Sequence, residues 1–189
     1  MVKKILFGLL LAMLFWGCGN DYMPKPDGFL RIDLPPKAYQ PFDSIYPYTF
    51  EYPAYAKLVA VNNPNQPYWL NIEIPRFKAT VYLSYKAVNK NLNTYLEDTR
   101  TYVMKHIPKA TAIDALEFSA PEHKVYGLMY EINGSEAASP CQFYLTDSTK
   151  HFLRGALYFN TTPNNDSLAP VIEFIKEDIK HLAQTLTWK

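Results

Sequence analysis

The sequence predicts an α+β fold, a single domain with a mainly antiparallel sheet of about seven or eight strands flanked by two helices. Three observations predict it. Short runs with apolar residues at alternate positions recur from Tyr48 to Asn160, the period of half-buried strands. Two stretches, Leu92 to Ile107 and Ser167 to Trp188, place apolar residues three and four apart instead, the period of a helix packed on one side. The resulting order of strands, helix, strands, helix shows no repeat and no second apolar core, which favours an antiparallel sheet covered by helices.

The chain begins with Met1-Val2-Lys3-Lys4, two positive charges ahead of an apolar run from Ile5 to Trp16. That order is the order of an export signal. The run is 12 residues long, against the roughly 20 a helix needs to span a bilayer, so it is read as a segment that is removed. Gly17-Cys18 follows it, the pair at which lipoprotein signals are cut and the cysteine thiol takes a diacylglyceryl group. A leucine usually sits three residues before such a cysteine; here Phe15 is there and Leu14 lies one place further back. Residues 1–17 are therefore expected to be a lipoprotein signal peptide and Cys18 the lipid attachment site. One acyl chain holds a protein on a membrane only marginally, whereas two or three chains of the palmitate kind anchor it firmly.

Residues 18–40 read as the lipidated cysteine followed by an arm, and 41–189 as the α+β periplasmic domain. Ten of the 15 prolines fall between Pro24 and Pro75, and Tyr22 to Gly28 offers little to a helix or a paired strand. An ordinary tether is poor in aromatic residues. This arm instead carries Tyr22, Phe29, Leu30, Ile32, Leu34 and Tyr39, with Lys25, Arg31 and Asp33 between them. Leu30, Ile32 and Leu34 share one side of an extended segment, which predicts a short edge strand from Phe29 ended by Pro35 and Pro36. Such an arm either docks on its own domain or adds to a partner as a strand. Pro24, Lys25, Pro26, Gly28, Arg31 and Asp33 are the candidate partner-binding residues.

Beyond the arm, strands are expected at Tyr48 to Tyr52, Lys57 to Val61, Tyr68 to Ile74 and Ala79 to Tyr85, with Asn62 to Pro67 as a turn. The first helix presents Leu92, Tyr95, Leu96, Thr99, Tyr102, Val103 and Ile107. Asn91 or Thr94 can cap it, Thr94 with Glu97 making a capping box, and Pro108 ends it. Four more strands follow at Ala112 to Ser119, Lys124 to Ile132, Cys141 to Thr146 and His151 to Asn160, joined by turns at Asn133-Gly134-Ser135 and Asp147 to Lys150. The last of them is apolar on both sides, which predicts a central position. The final helix carries Leu168, Val171, Ile172, Ile175, Ile179, Leu182 and Leu186 in a stripe, with Asp166 or Ser167 as cap.

After removal of residues 1–17, 172 of the 189 residues remain, enough for one domain to bury a core. Losing Lys3 and Lys4 leaves 17 basic residues against 18 acidic ones, net −1, so no charge bias suggests nucleic acid. With Cys18 lipidated, Cys141 has no disulfide partner. It shares a face with Phe143 and Leu145 and reads as a small buried hydrophobe. His106, His123, His151 and His181 show no metal-ligand spacing, and nucleophile elbows, Ser-x-x-Lys pairs and phosphate loops are missing. His106 and His181 are expected at the surface. The adjacent pairs Glu97-Asp98 and Glu177-Asp178 diverge on their helices by about 100° and cannot share one site. The residues thus give no catalytic, metal or cofactor site. A non-enzymatic envelope protein that binds a protein partner is expected, the alternative being a binder of a lipid or small apolar ligand. Gly19 follows the cysteine where an aspartate would favour the inner membrane, and only Asp21 is acidic nearby. This predicts the outer membrane, facing the periplasm, with the inner membrane as alternative.

In element order the chain is similar to the Mog1/PsbP-like fold. A more specific resemblance rests on the signal ending at Cys18, on the block Tyr22-Met23-Pro24-Lys25-Pro26-Asp27-Gly28-Phe29-Leu30-Arg31-Ile32-Asp33-Leu34-Pro35, on Pro47 to Pro53, and on Leu157 to Ser167. Together these resemble the gliding-motility lipoproteins of the GldD type from the Bacteroidetes. That resemblance implies an envelope lipoprotein needed for surface gliding, linked with the type IX secretion system and partnered by other gliding or secretion envelope proteins. It implies no catalytic or cofactor residues.

Overall fold

The computed structural model describes residues 32–189. In chain order their elements are β1 (Tyr39–Phe42), β2 (Tyr48–Pro53), β3 (Lys57–Ala60), β4 (Leu70–Ile74), β5 (Ala79–Ala87), α1 (Leu92–Met104), β6 (Ala112–Ala120), β7 (Val125–Asn133), β8 (Cys141–Thr146), β9 (His151–Phe159), α2 (Asn165–Thr185) and β10 (Thr187–Trp188). Seven strands make one antiparallel sheet in the order β3-β4-β5-β9-β8-β7-β6, and β1-β2-β10 make a smaller one. The architecture is α+β, as the element pattern predicts. The doubly apolar strand β9 is the middle strand of the seven, with Phe152, Leu153, Ala156 and Leu157 all buried.

Period-two alternation decides what each face of the large sheet meets. Pairing of Ala79↔Phe159 through Ala87↔His151 puts Val81, Leu83, Leu153 and Leu157 on one face. There they join Ile72, Ile74, Phe143 and Leu145, the α2 residues Val171, Ile175, Ile179 and Leu182, and Tyr48 and Phe50 of β2. Each such side chain contributes roughly 2 kcal/mol on leaving water. Gly155 lies beneath the ring of Phe143, its cross-strand neighbour, where any Cβ would overlap that ring. Cys141 is fully buried on this face, as expected, and burial pushes its thiol up to about 12. The opposite face carries α1, whose Val103 is buried with Ile132 and Ala137 and whose Tyr95 packs on Phe152 at 5.5 Å.

The structure corrects several element boundaries. Ile32 to Ala38 form no strand; pairing starts at Tyr39, beyond Pro35 and Pro36, which lack the N–H a ladder requires. Asn91 does precede α1, but its side chain bonds the Asn89 amide and the Tyr95 hydroxyl and caps nothing, and the Thr94–Glu97 box is not the helix start. The helix stops at Met104, and Pro108 sits in a separate 3-10 turn, Ile107–Lys109. The cap of α2 is Asn164, whose side chain accepts from the Ser167 amide at 3.4 Å, in place of Asp166 or Ser167. That helix ends at Thr185, short of Trp188. Leu186 turns extended, and Thr187 and Trp188 pair with Thr49 and Tyr48 of β2. A β-branched and an aromatic residue suit that strand, and the Trp188 ring stacks on His151 at 5.1 Å.

Candidate functional site

The arm meets the domain at a buried carboxylate. Asp178 falls at helical spacing inside the apolar stripe of α2, between Ile175 and Leu182, and is only 4% exposed. A charge in that position must be paired or hydrogen-bonded. Three donors converge on it. The Lys37 ammonium lies 2.5 Å from Oδ1, the Tyr39 hydroxyl donates to the same oxygen at 2.9 Å, and the Tyr55 hydroxyl donates to Oδ2. Burial first, then the bonds to Asp178 and its charge, pushes both phenols well above their ordinary range, so both remain neutral donors.

Further contacts fix the same stretch. The Lys37 ammonium also donates to the Phe174 carbonyl at 2.6 Å and lies 3.5 Å above that residue's ring. Phe174 in turn stacks on Tyr55 and meets Phe77 edge-on. The Tyr39 ring stacks on His181 at 3.6 Å, and His181 Nε2 is 2.7 Å from the Glu51 carboxylate. His181 is thus half-buried and engaged, contrary to the surface position expected for it. Its neighbour Glu177 points outward to Lys180, so the adjacent acids do diverge. At the start of the described chain, Ile32 packs against the core and Arg76 donates to the Asp33 carbonyl at 2.6 Å.

Of the candidate arm residues, Asp33 is described; its side chain is exposed and its backbone is held by Arg76. Cys18, Pro24, Lys25, Pro26, Gly28 and Arg31 lie outside the described residues. Sequence reasoning missed Lys37, Tyr39, Tyr55, Asp178 and His181 as the seat of the arm. One signal was available, since an aspartate sits where the α2 stripe should be apolar.

A second polar cluster lies between α1 and the opposite sheet face. His106 Nε2 and the fully buried Gln142 amide are 2.9 Å apart, and Arg154 Nη2 donates to Gln142 Oε1 at 2.6 Å. His106 is therefore half-buried, correcting the surface reading, because the turn after α1 folds it back onto β8. Burial and the nearby Arg154 charge push its pKa down. In the β8–β9 loop, Asp147 accepts from the amides of Thr149, Lys150 and His151 at 2.9, 2.8 and 2.8 Å. Burial works against its charge, but these bonds and the Thr149 hydroxyl hold its carboxyl at about 2.

The space between α2 and the sheet, where an apolar ligand would lie, is filled; the cavity among Ile72, Ile74, Val81, Ile175 and Ile179 is about 10 Å³. A groove of about 770 Å³ is open and lined by Glu73, Lys78, Thr80, Tyr82, Tyr158 and Asn160. Among the described residues no three His, Cys, Asp or Glu gather as metal ligands, and no helix is long and apolar enough to cross a membrane.

The family model described as gliding motility lipoprotein GldD matches residues 19–188. Among curated proteins, none matches the sequence. The solution structure of cyanobacterial PsbP (CyanoP) from Synechocystis sp. PCC 6803 is similar at a TM-score of 0.49 and 12% identity, over 85% of this chain and 98% of that one.

Proposed function

The chain belongs to the GldD family of gliding motility lipoproteins, and from that premise we propose that it is a non-enzymatic, lipid-anchored component of the gliding and type IX secretion machinery, acting by protein–protein contact. In this reading residues 1–17 are the signal, Cys18 carries the acyl chains at the outer membrane, and the domain from residue 41 faces the periplasm. The arm carries the contact through Pro24, Lys25, Pro26, Gly28, Arg31 and Asp33.

One observation supports this reading most: the base of the arm is seated on α2 through Asp178 by Lys37, Tyr39 and Tyr55. A seat of that kind gives the preceding residues a fixed point of departure from the domain. Fixing that departure point lowers the ordering entropy lost when the arm meets a partner.

Affinity capture from detergent-solubilised envelopes tests it, comparing the tagged full chain with a variant lacking residues 22–31. The expected result is an envelope protein captured by the full chain and lost from the variant. Identical profiles would remove the arm from the mechanism. Protease digestion of whole against lysed cells tests the placement, and digestion in whole cells would contradict a periplasm-facing domain.

A further inference from the structure

We propose that the pocket between α1 and the sheet, centred on Arg154, is a binding site for a single carboxylate group. The pocket holds about 110 Å³ and is lined by Arg154, Lys86 and Asp98 together with Trp69, Tyr95 and Tyr102. The guanidinium lies 4.7 Å over the Tyr102 ring and spends one N–H on Gln142. Its Nε is cut off from solvent and has no hydrogen-bond partner among the described residues. That bond to Gln142 is the guanidinium's one hydrogen bond among the described residues; a charged group so sparsely paired and lining a cavity points to an acceptor that meets its remaining N–H groups there.

Charge gives the class of that acceptor. Among the described residues neither Arg154 nor Lys86 forms an ion pair with Asp or Glu. The Lys86 ammonium rests 4.6 Å above the Tyr95 ring. His106, behind Gln142, is held toward its neutral form by burial and by Arg154. Two cations against Asp98 leave one net positive charge facing the pocket, matched to one monoanion, while Asp98 opposes a dianionic phosphate. Size agrees, since the volume equals that of about three or four waters, room for a carboxylate on a short stem. With Nε sealed off and one Nη2 N–H on Gln142, the remaining Nη N–H groups are the ones that can donate charge-assisted bonds to that planar group. The group can belong to a small solute or to the terminus or acidic side chain of a partner protein.

The test uses the purified full chain in detergent, titrated at constant ionic strength with acetate, glycine, phosphate, and a tripeptide whose C-terminus is either free or amidated. Thermal midpoint and tryptophan fluorescence are the readouts. Saturable binding of a carboxylate in the millimolar range or tighter is expected, lost in Arg154→Gln. Because Arg154→Gln can disturb the buried network, Lys86→Met is the second variant; its side chain is exposed, and it should weaken binding about tenfold while the protein stays folded. Binding of acetate and glycine assigns a small solute, and binding of the free-terminus tripeptide alone assigns a protein terminus. No saturable carboxylate binding, binding unchanged in both variants, or tighter binding of phosphate would overturn the proposal.

Discussion

At the scale of single residues, Asp178 shows how one buried carboxylate can hold a chain segment in place. It accepts from Lys37, Tyr39 and Tyr55 at once, so Asp178→Ala strands three donors and is expected to cost about 2–3 kcal/mol. Chemical denaturation measures that loss, and hydrogen exchange should show the β1 amides losing protection; unchanged protection would mean the seat is held elsewhere. Gly155→Ala drives a methyl into the Phe143 ring and should destabilise by about 2–3 kcal/mol. Two histidines set a pH dependence. Burial, aided by the Arg154 charge at His106 and by Lys150 at His151, pushes both below the ordinary histidine value, although Asp147 pulls His151 upward. The unfolded chain then takes up protons that the folded chain refuses, so stability should fall as pH drops from 7 to 5. The double variant His106→Gln, His151→Gln should flatten that slope in denaturant midpoints. Asp147 works the other way round in charge: its carboxyl is held at about 2, so its contribution persists at neutral pH and is lost only as pH falls from about 4 toward 2.

At the scale of elements, period and burial account for what the sequence reveals. The stripe of α2 is legible because Val171, Ile175, Ile179 and Leu182 all enter one core; Ile175→Ala should cost about 3 kcal/mol in thermal unfolding, and a cost near zero would put that stripe outside the core. The central place of β9 follows likewise from two apolar faces. Elements that depend on distant partners are less legible. β10 is two residues long and exists because β2 lies beside it, so it looks like the last turn of a helix until the partner is known. The extended run after Arg31 alternates like a strand yet pairs with none, because Pro35 and Pro36 interrupt the donors. The seat was hidden for the same reason: Lys37 and Asp178 are 141 positions apart, and only the fold brings them together. The polar pair Arg154 and Gln142 lies on adjacent strands, but without the sheet register nothing in the sequence joins them to His106.

At the scale of the whole molecule, family membership and geometry support one picture. A lipid on Cys18 would tie the chain to the envelope, the arm would lead from it, and the domain would hold the end of that arm against α2. Replacing Cys18 with alanine should move the protein from the membrane to the soluble fraction on ultracentrifugation, and retention in the membrane would contradict the anchor. Lipid, arm and seat converge on one contact, that of the arm with a partner. It is tested most directly by photo-crosslinking in intact cells, with the reactive group placed at Lys25 or Arg31 and, as a control, at Lys150 in the β8–β9 loop. A crosslink to another envelope protein is expected from Lys25 and Arg31 and none from Lys150; crosslinks that appear equally from all three positions, or from none, would rule out the arm as the point of contact.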